Sequence, residues 1–131
     1  MKCFLMGFVG AVLGLLLSVF VGAQYADYMA AAQTDGWLHE AGPTVALVTA
    51  NAQRLHSVSG SGAGVAAPVF SGKPPAPAMA LVTVDGAILL QGGYKGQAVV
   101  LVPSFVGGKV AWRCIGGSQH DTLPCEHWHP R

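Results

Sequence analysis

Residues 3–23 read CFLMGFVGAVLGLLLSVFVGA and contain neither a charge nor a proline. No other feature constrains the chain as strongly. As a helix, this run spans about 31 Å at 1.5 Å per residue, close to the thickness of one bilayer hydrocarbon core. Lys2 precedes it and favours a cytoplasmic N-terminus. Tyr25 and Tyr28 follow it, where an interfacial aromatic belt would lie. The run exceeds the 7–15 apolar residues of an ordinary secretory signal core, which favours a retained anchor. A cleaved signal remains the alternative, with the cut between Ala23 and Gln24 after the small residues Gly22 and Ala23. Either way, the remainder of the chain is exported. Inside the run, Gly10 and Gly14 form a G-x-x-x-G pair of the kind that lets helices approach closely in lipid.

Charge is scarce: 10% of the 131 residues are charged, and 52% are hydrophobic. A disordered chain needs the opposite balance. Apart from Lys2, six Lys/Arg face six Asp/Glu. That zero balance argues against nucleic acid as a partner, since phosphate contacts dominate such affinity. Lys95, Lys109, Arg113 and Arg131 are the cations that could still cluster on the C-terminal half.

The exported part divides by pattern. Over residues 25–56 the period is helical. Trp37, Ala41, Val45, Val48, Ala52 and Leu55 form an apolar stripe, with Trp37, Val45 and Val48 as candidate core. Pro43 should kink or divide this helix, because it removes a backbone donor and disfavours helix at Gly42. Residues 57–77 are rich in Gly, Ser, Ala and Pro, which predicts a loop without regular structure. Val69 and Phe70 are its candidates for pinning it to a core. From residue 78 the period becomes two. Residues 80–84 and 87–91 flank Asp85-Gly86, a hairpin signal. Residues 97–102 and 109–115 form a second pair, with Gly107-Gly108 in the turn. Val110, Trp112 and Cys114 share one face of the last strand and should be buried, with Val110 and Trp112 as core. The expected fold class is α+β: a long N-terminal helix, half membrane anchor and half exported, packed on a four-stranded antiparallel meander.

Cys114 and Cys125 lie in the exported part, where disulfides persist. A bridge between them is the expected state; two separate thiols, or a metal site with His120, His127 and His129, are the alternatives. The usual tetrahedral ligand spacing is absent, so no metal or other cofactor is expected. His39 and His56 read as surface residues of the helix. No G-x-S-x-G, H-E-x-x-H or phosphate loop followed by Lys occurs, and no enzymatic activity is expected.

Several segments, in order, resemble the type IV pilins. Tyr25, Asp27, Tyr28, Ala32 and Gln33 resemble the pilin segment Y-x-D-Y-x-x-x-A-Q, which follows the membrane half of the long helix. Residues 84–88 (VDGAI) resemble the first pilin hairpin. Val110, Trp112, Arg113 and Cys114, with Leu123, Pro124 and Cys125, resemble the last strand and the disulfide-bounded loop. The resemblance implies a subunit of a type IV pilus or related filament, acting in adhesion or motility. Its partners would be other pilin subunits and the membrane. It would insert in the bacterial inner membrane as a single-pass protein with an exported C-terminal domain, residues 1–24 being the anchor.

The chain also departs from that pattern. Pilin precursors carry a leader ending in Gly, followed by Phe, with Glu at the fifth mature position. Gly7-Phe8 fits such a cleavage site, with residues 1–7 as leader, and puts Val12 where Glu is expected. Counting back from Tyr25 instead puts that position at Met6. No carboxylate precedes Asp27. In pilins that Glu is taken to pair with the N-terminal amine of a neighbouring subunit. Its absence moves the expectation from a major subunit to a minor or tip pilin, or to an accessory protein of the inner membrane that binds pilins. A secreted pilin-like module is the outcome if the cut follows Ala23.

Overall fold

The helical part of the fold follows from an apolar stripe that continues through a proline. In a computed structural model, which describes residues 2–72, 75–117 and 123–130, helix α1 spans Lys2–Glu40 and helix α2 spans Gly42–Leu55. His120 and Arg131, considered above, lie outside the described residues. Pro43 falls at the first turn of α2, where its missing N–H costs least. Ala41 between the helices keeps right-handed dihedrals (φ −73°, ψ −12°). Its amide donates to the Trp37 carbonyl at 2.9 Å, and its carbonyl accepts from Val45 at 3.0 Å. The proline therefore divides the helix without ending the stripe: Ala30, Trp37, Leu38, Ala41, Val45, Val48 and Ala52 are all buried.

Helix α2 ends at His56, a residue in the left-handed region (φ 50°). The Ser57 amide then reaches back to the Ala52 carbonyl at 3.1 Å, a Schellman-type stop. Leu55, expected on the stripe, is exposed, because the helix terminates there before the next turn can cover it.

Four strands follow: β1 (Met79–Val82), β2 (Ile88–Gly92), β3 (Gln97–Val106) and β4 (Lys109–Gly117). They pair antiparallel in sequence order, β1-β2-β3-β4. The architecture is α+β, a long N-terminal helix packed on a four-stranded antiparallel meander. Ile88 and Leu90 of β2 and Val99 and Leu101 of β3 meet the helical stripe and are fully buried. The edge strands contribute less. Trp112 and Cys114 of β4 are half-buried against this core, and Val110 is half-buried outside it. Val110 was expected in the core; β4 is an edge strand with no neighbour on its far side, so its inward face is only partly covered.

The first hairpin turns differently from a two-residue Asp-Gly loop. β1 stops at Val82, and Thr83 pairs with Ala87 through an amide-to-carbonyl bond of 2.8 Å. Val84, Asp85 and Gly86 form a three-residue loop with Gly86 left-handed (φ 82°).

The Gly/Ser/Pro-rich segment contains no helix or strand among its described residues, as its composition predicts. Its first part is nonetheless docked. Ser61 and Gly62 are buried, the Gly62 amide donates to the Val84 carbonyl at 2.9 Å, and Asn51 Nδ2 donates to the Ser61 carbonyl at 3.0 Å. The Gly60 amide donates to Asp85 Oδ1 at 3.2 Å. A Cβ on Gly62 would meet the Thr83 carbonyl oxygen, and the Gly86 amide nitrogen at 2.7 Å. Both are backbone atoms that cannot rotate away. Gly62→Ala should therefore cost about 1–3 kcal/mol by overpacking. Gly42→Ala, by contrast, places a Cβ against the Pro43 ring in a helical backbone, and should therefore bring none of the about 0.4–1 kcal/mol that such a change gains at an unstrained position. Urea midpoints of the detergent-solubilised chain measure both. Phe70 packs against the core as expected, whereas Val69 is 87% exposed. Of these two neighbours only Phe70 faces inward.

Candidate functional site

The largest unsatisfied surface of the molecule is the N-terminal half of α1. Ten large apolar side chains (Phe8, Val9, Val12, Leu13, Leu15, Leu16, Leu17, Val19, Phe20 and Val21) are between 41% and 72% exposed. The most apolar part of the helix has a mean hydropathy of 2.0, and none of it is buried. At about 1.5–3 kcal/mol for each side chain covered, the ten together represent on the order of 20 kcal/mol of hydrophobic free energy. The segment is long and apolar enough to cross a membrane. Its one hydroxyl suits that setting, since Ser18 Oγ donates to the Gly14 carbonyl at 2.8 Å and needs no water. Gly10 and Gly14 have open space where a Cβ would stand, and so present bare backbone to any neighbour. Helix α1 runs unbroken through Gly7-Phe8 and through Ala23-Gln24.

Where α1 meets the sheet, a polar clamp holds the β2–β3 turn against it. Gln97, at the start of β3, is buried. Its Nε2 donates to the Ala30 carbonyl at 3.1 Å and to Gln33 Oε1 at 3.3 Å. Its Oε1 accepts the Lys95 amide at 3.0 Å. Gln33 Oε1 also accepts the Tyr94 amide at 2.8 Å. The Lys95 ammonium forms an ion pair with Asp27. Both side-chain oxygens and the Gln97 amide nitrogen are therefore paired, as burial demands.

Cys114 of β4 is joined to Cys125 of a short helix α3 (Leu123–Glu126) by a disulfide, with Cα atoms 5.1 Å apart. Cys125 and Trp128 pack against the core. This tail and the α1–α2 junction enclose a groove of about 580 Å³. Asp35, His39, His127, His129, Trp128 and Pro43 contribute to its walls. Among the described residues, no group of three His, Cys, Asp or Glu side chains is placed to hold a metal ion.

No family model, curated protein or solved structure matches this chain.

What the site can do therefore rests on its own residues. Of the described cations considered for phosphate binding, Lys95 and Lys109 lie far apart. Lys95 is paired at the start of β3, while Lys109 stands opposite Val106 at its far end. Ten residues of strand separate those ends by about 30 Å. The clamp of Gln33, Gln97 and Asp27 went unpredicted from sequence. Gln97 opens an alternating strand on its inward face, and that position was the available signal. The outward face of the sheet also carries an unexpected row. Leu81, Leu89, Val100 and Ile115 stand side by side across all four strands, with Leu81, Leu89 and Val100 half-buried by one another.

Proposed function

We propose that this protein is a pilin-like structural subunit, a minor or tip component of a type IV pilus or related filament. It would be anchored through α1 in the bacterial inner membrane with its head exported. The observation that carries this is the bare apolar half of α1, continuous with a helical half that is packed on the sheet. Such a helix needs one cover before assembly and another after it. Lipid supplies the first and neighbouring apolar helices the second. In lipid the hydrophobic effect no longer drives helices together, so association depends on close packing, which Gly10 and Gly14 permit. The ordered motifs at Tyr25–Gln33, residues 84–88 and residues 110–125 support the same reading. Antibody against the head should label sheared pili. Absence from the pili, with the protein retained in the membrane fraction, would reject filament membership.

A second reading is favoured by one observation: no carboxylate precedes Asp27. Without it, the charge pair that sets axial register between pilin helices has no donor of negative charge. On this reading the protein is an accessory subunit that stays in the membrane and binds pilins through the same glycine face. Replacing Gly10 and Gly14 together by Leu should abolish co-purification with pilins, because the added side chains separate the backbones by several ångströms. Undiminished co-purification would remove the glycine face from the account.

A further inference from the structure

The β2–β3 turn, residues 93–96, has a place in the fold that its sequence does not advertise. Gln97 and Gln33 hold it against α1 at Ala30, and Lys95 reaches down to Asp27. Asp27 lies four residues beyond Ala23, the last residue of the charge-free run. That is about 6 Å along the helix axis. Each interfacial layer of a bilayer is about 5–8 Å thick, taking the difference between the full thickness and the hydrocarbon core. An anchor that fills the core with residues 3–23 therefore brings the Asp27 carboxylate and the Lys95 ammonium to headgroup level.

The chemistry of this rim suits that level. Asp27 is the only carboxylate in the chain before Asp35, and its charge is neutralised by Lys95. Tyr94, at the tip of the turn, is 65% exposed. Tyr25 and Tyr28 are similarly exposed on α1. Asp27, Ala30 and Gln33 face the head, whereas Tyr25 and Tyr28 lie on the opposite side of the helix. Tyr94 stands on the head side, so the three phenols surround the point where the helix leaves the head. A phenol has an apolar ring and a polar tip, and is enriched where hydrocarbon gives way to water.

We propose that the β2–β3 turn rests on the lipid interface, with Tyr94 completing an aromatic collar begun by Tyr25 and Tyr28. The head then does not pivot freely on its anchor: it stands on two supports, the helix and this turn. The neutral Asp27–Lys95 pair means that zwitterionic lipid is sufficient. The proposal rests on the membrane-anchored reading of α1, and its test separates the two.

The full chain is reconstituted in phosphatidylcholine vesicles with the photo-crosslinking residue p-benzoylphenylalanine at one position at a time. Tyr94→p-benzoylphenylalanine probes the turn, Phe20→p-benzoylphenylalanine the anchor, and Val106→p-benzoylphenylalanine the far end of β3. Mass spectrometry reads lipid adducts after illumination. Adducts at positions 94 and 20, with none at 106, are expected. An adduct at 20 without one at 94 overturns the proposal while leaving the anchor in place. Crosslinking of position 94 to a second copy of the chain also overturns it. No lipid adduct at 20 removes the anchored reading, and the proposal with it.

Discussion

Trp37→Ala should destabilise the head by about 3–5 kcal/mol, the range for deleting a large buried aromatic. Trp37 is fully buried in the centre of the helix–sheet core, among Leu38, Ala41, Val45, Ile88, Leu90, Val99 and Leu101. Its indole Nε1 also donates to the Pro75 carbonyl at 2.8 Å, which ties the loop to the helix. The substitution removes that packing and that tie together. A domain of this size is stable by only about 5–15 kcal/mol, so a large part of the total is at stake. The urea midpoint of the near-UV circular dichroism of the detergent-solubilised chain reads the loss. Trp112→Ala should cost less, because Trp112 is half-buried on an edge strand. Equal losses for the two would contradict the core assigned here.

Breaking the Cys114–Cys125 bridge should cost about 3 kcal/mol in the chain-entropy model for a loop of this length. The two cysteines are 11 residues apart. The bond also carries a packing consequence: it holds Cys125, and with it Trp128, against the core. Reduction should therefore lower the urea midpoint and shift part of the tryptophan emission to the red as Trp128 meets water. Cys114→Ser should reproduce both changes in the absence of reductant. Cys3→Ser, in the charge-free segment, should leave the midpoint unchanged. A chain whose midpoint and emission ignore reductant would show that the tail is held by packing alone.

Much of this architecture is legible in the amino-acid sequence, because periodicity reports which side of an element is covered. The stripe from Trp37 to Ala52 is visible through the Gly42-Pro43 interruption. It survives in the fold because a proline in the first turn of a helix forfeits no hydrogen bond that the turn would have made. The meander follows from two hairpin signals and a change of period at residue 78. Coverage at the edges is less legible. Val110 and Leu55 have the right spacing, yet one lies on an outer strand and the other on the last residue of a helix. Spacing identifies a face but not what lies above it.

The polar contacts were the least legible part. Ser61 and Gly62 sit in a segment whose composition indicates a linker. Gly62 is required because backbone from the first hairpin passes where a Cβ would be, and composition carries no information on such a close approach. The same limit applies to Gln33, Gln97, Asp27 and Lys95. They are 61 to 68 residues apart in the bonded pairs across the clamp, and no local pattern links them. The candidate site divides likewise. The apolar segment with Gly10 and Gly14 is legible because it is local, whereas the collar that includes Tyr94 emerges only once the strands have folded back on the helix.

The head itself does not need the first 23 residues. Among the residues whose side chains are described, the first buried one is Ala30, and every contact of the core lies beyond it. A chain that kept those residues only for export would lose nothing by discarding them after Ala23. A chain that uses them to hold the membrane and to pack against neighbouring helices must retain them. N-terminal sequencing of the mature protein from its native membrane distinguishes these directly. A start at Met1, or at Phe8 after removal of a leader, is the predicted result. A start at Gln24 would contradict the account, since the segment proposed to carry the function would be absent from the working protein.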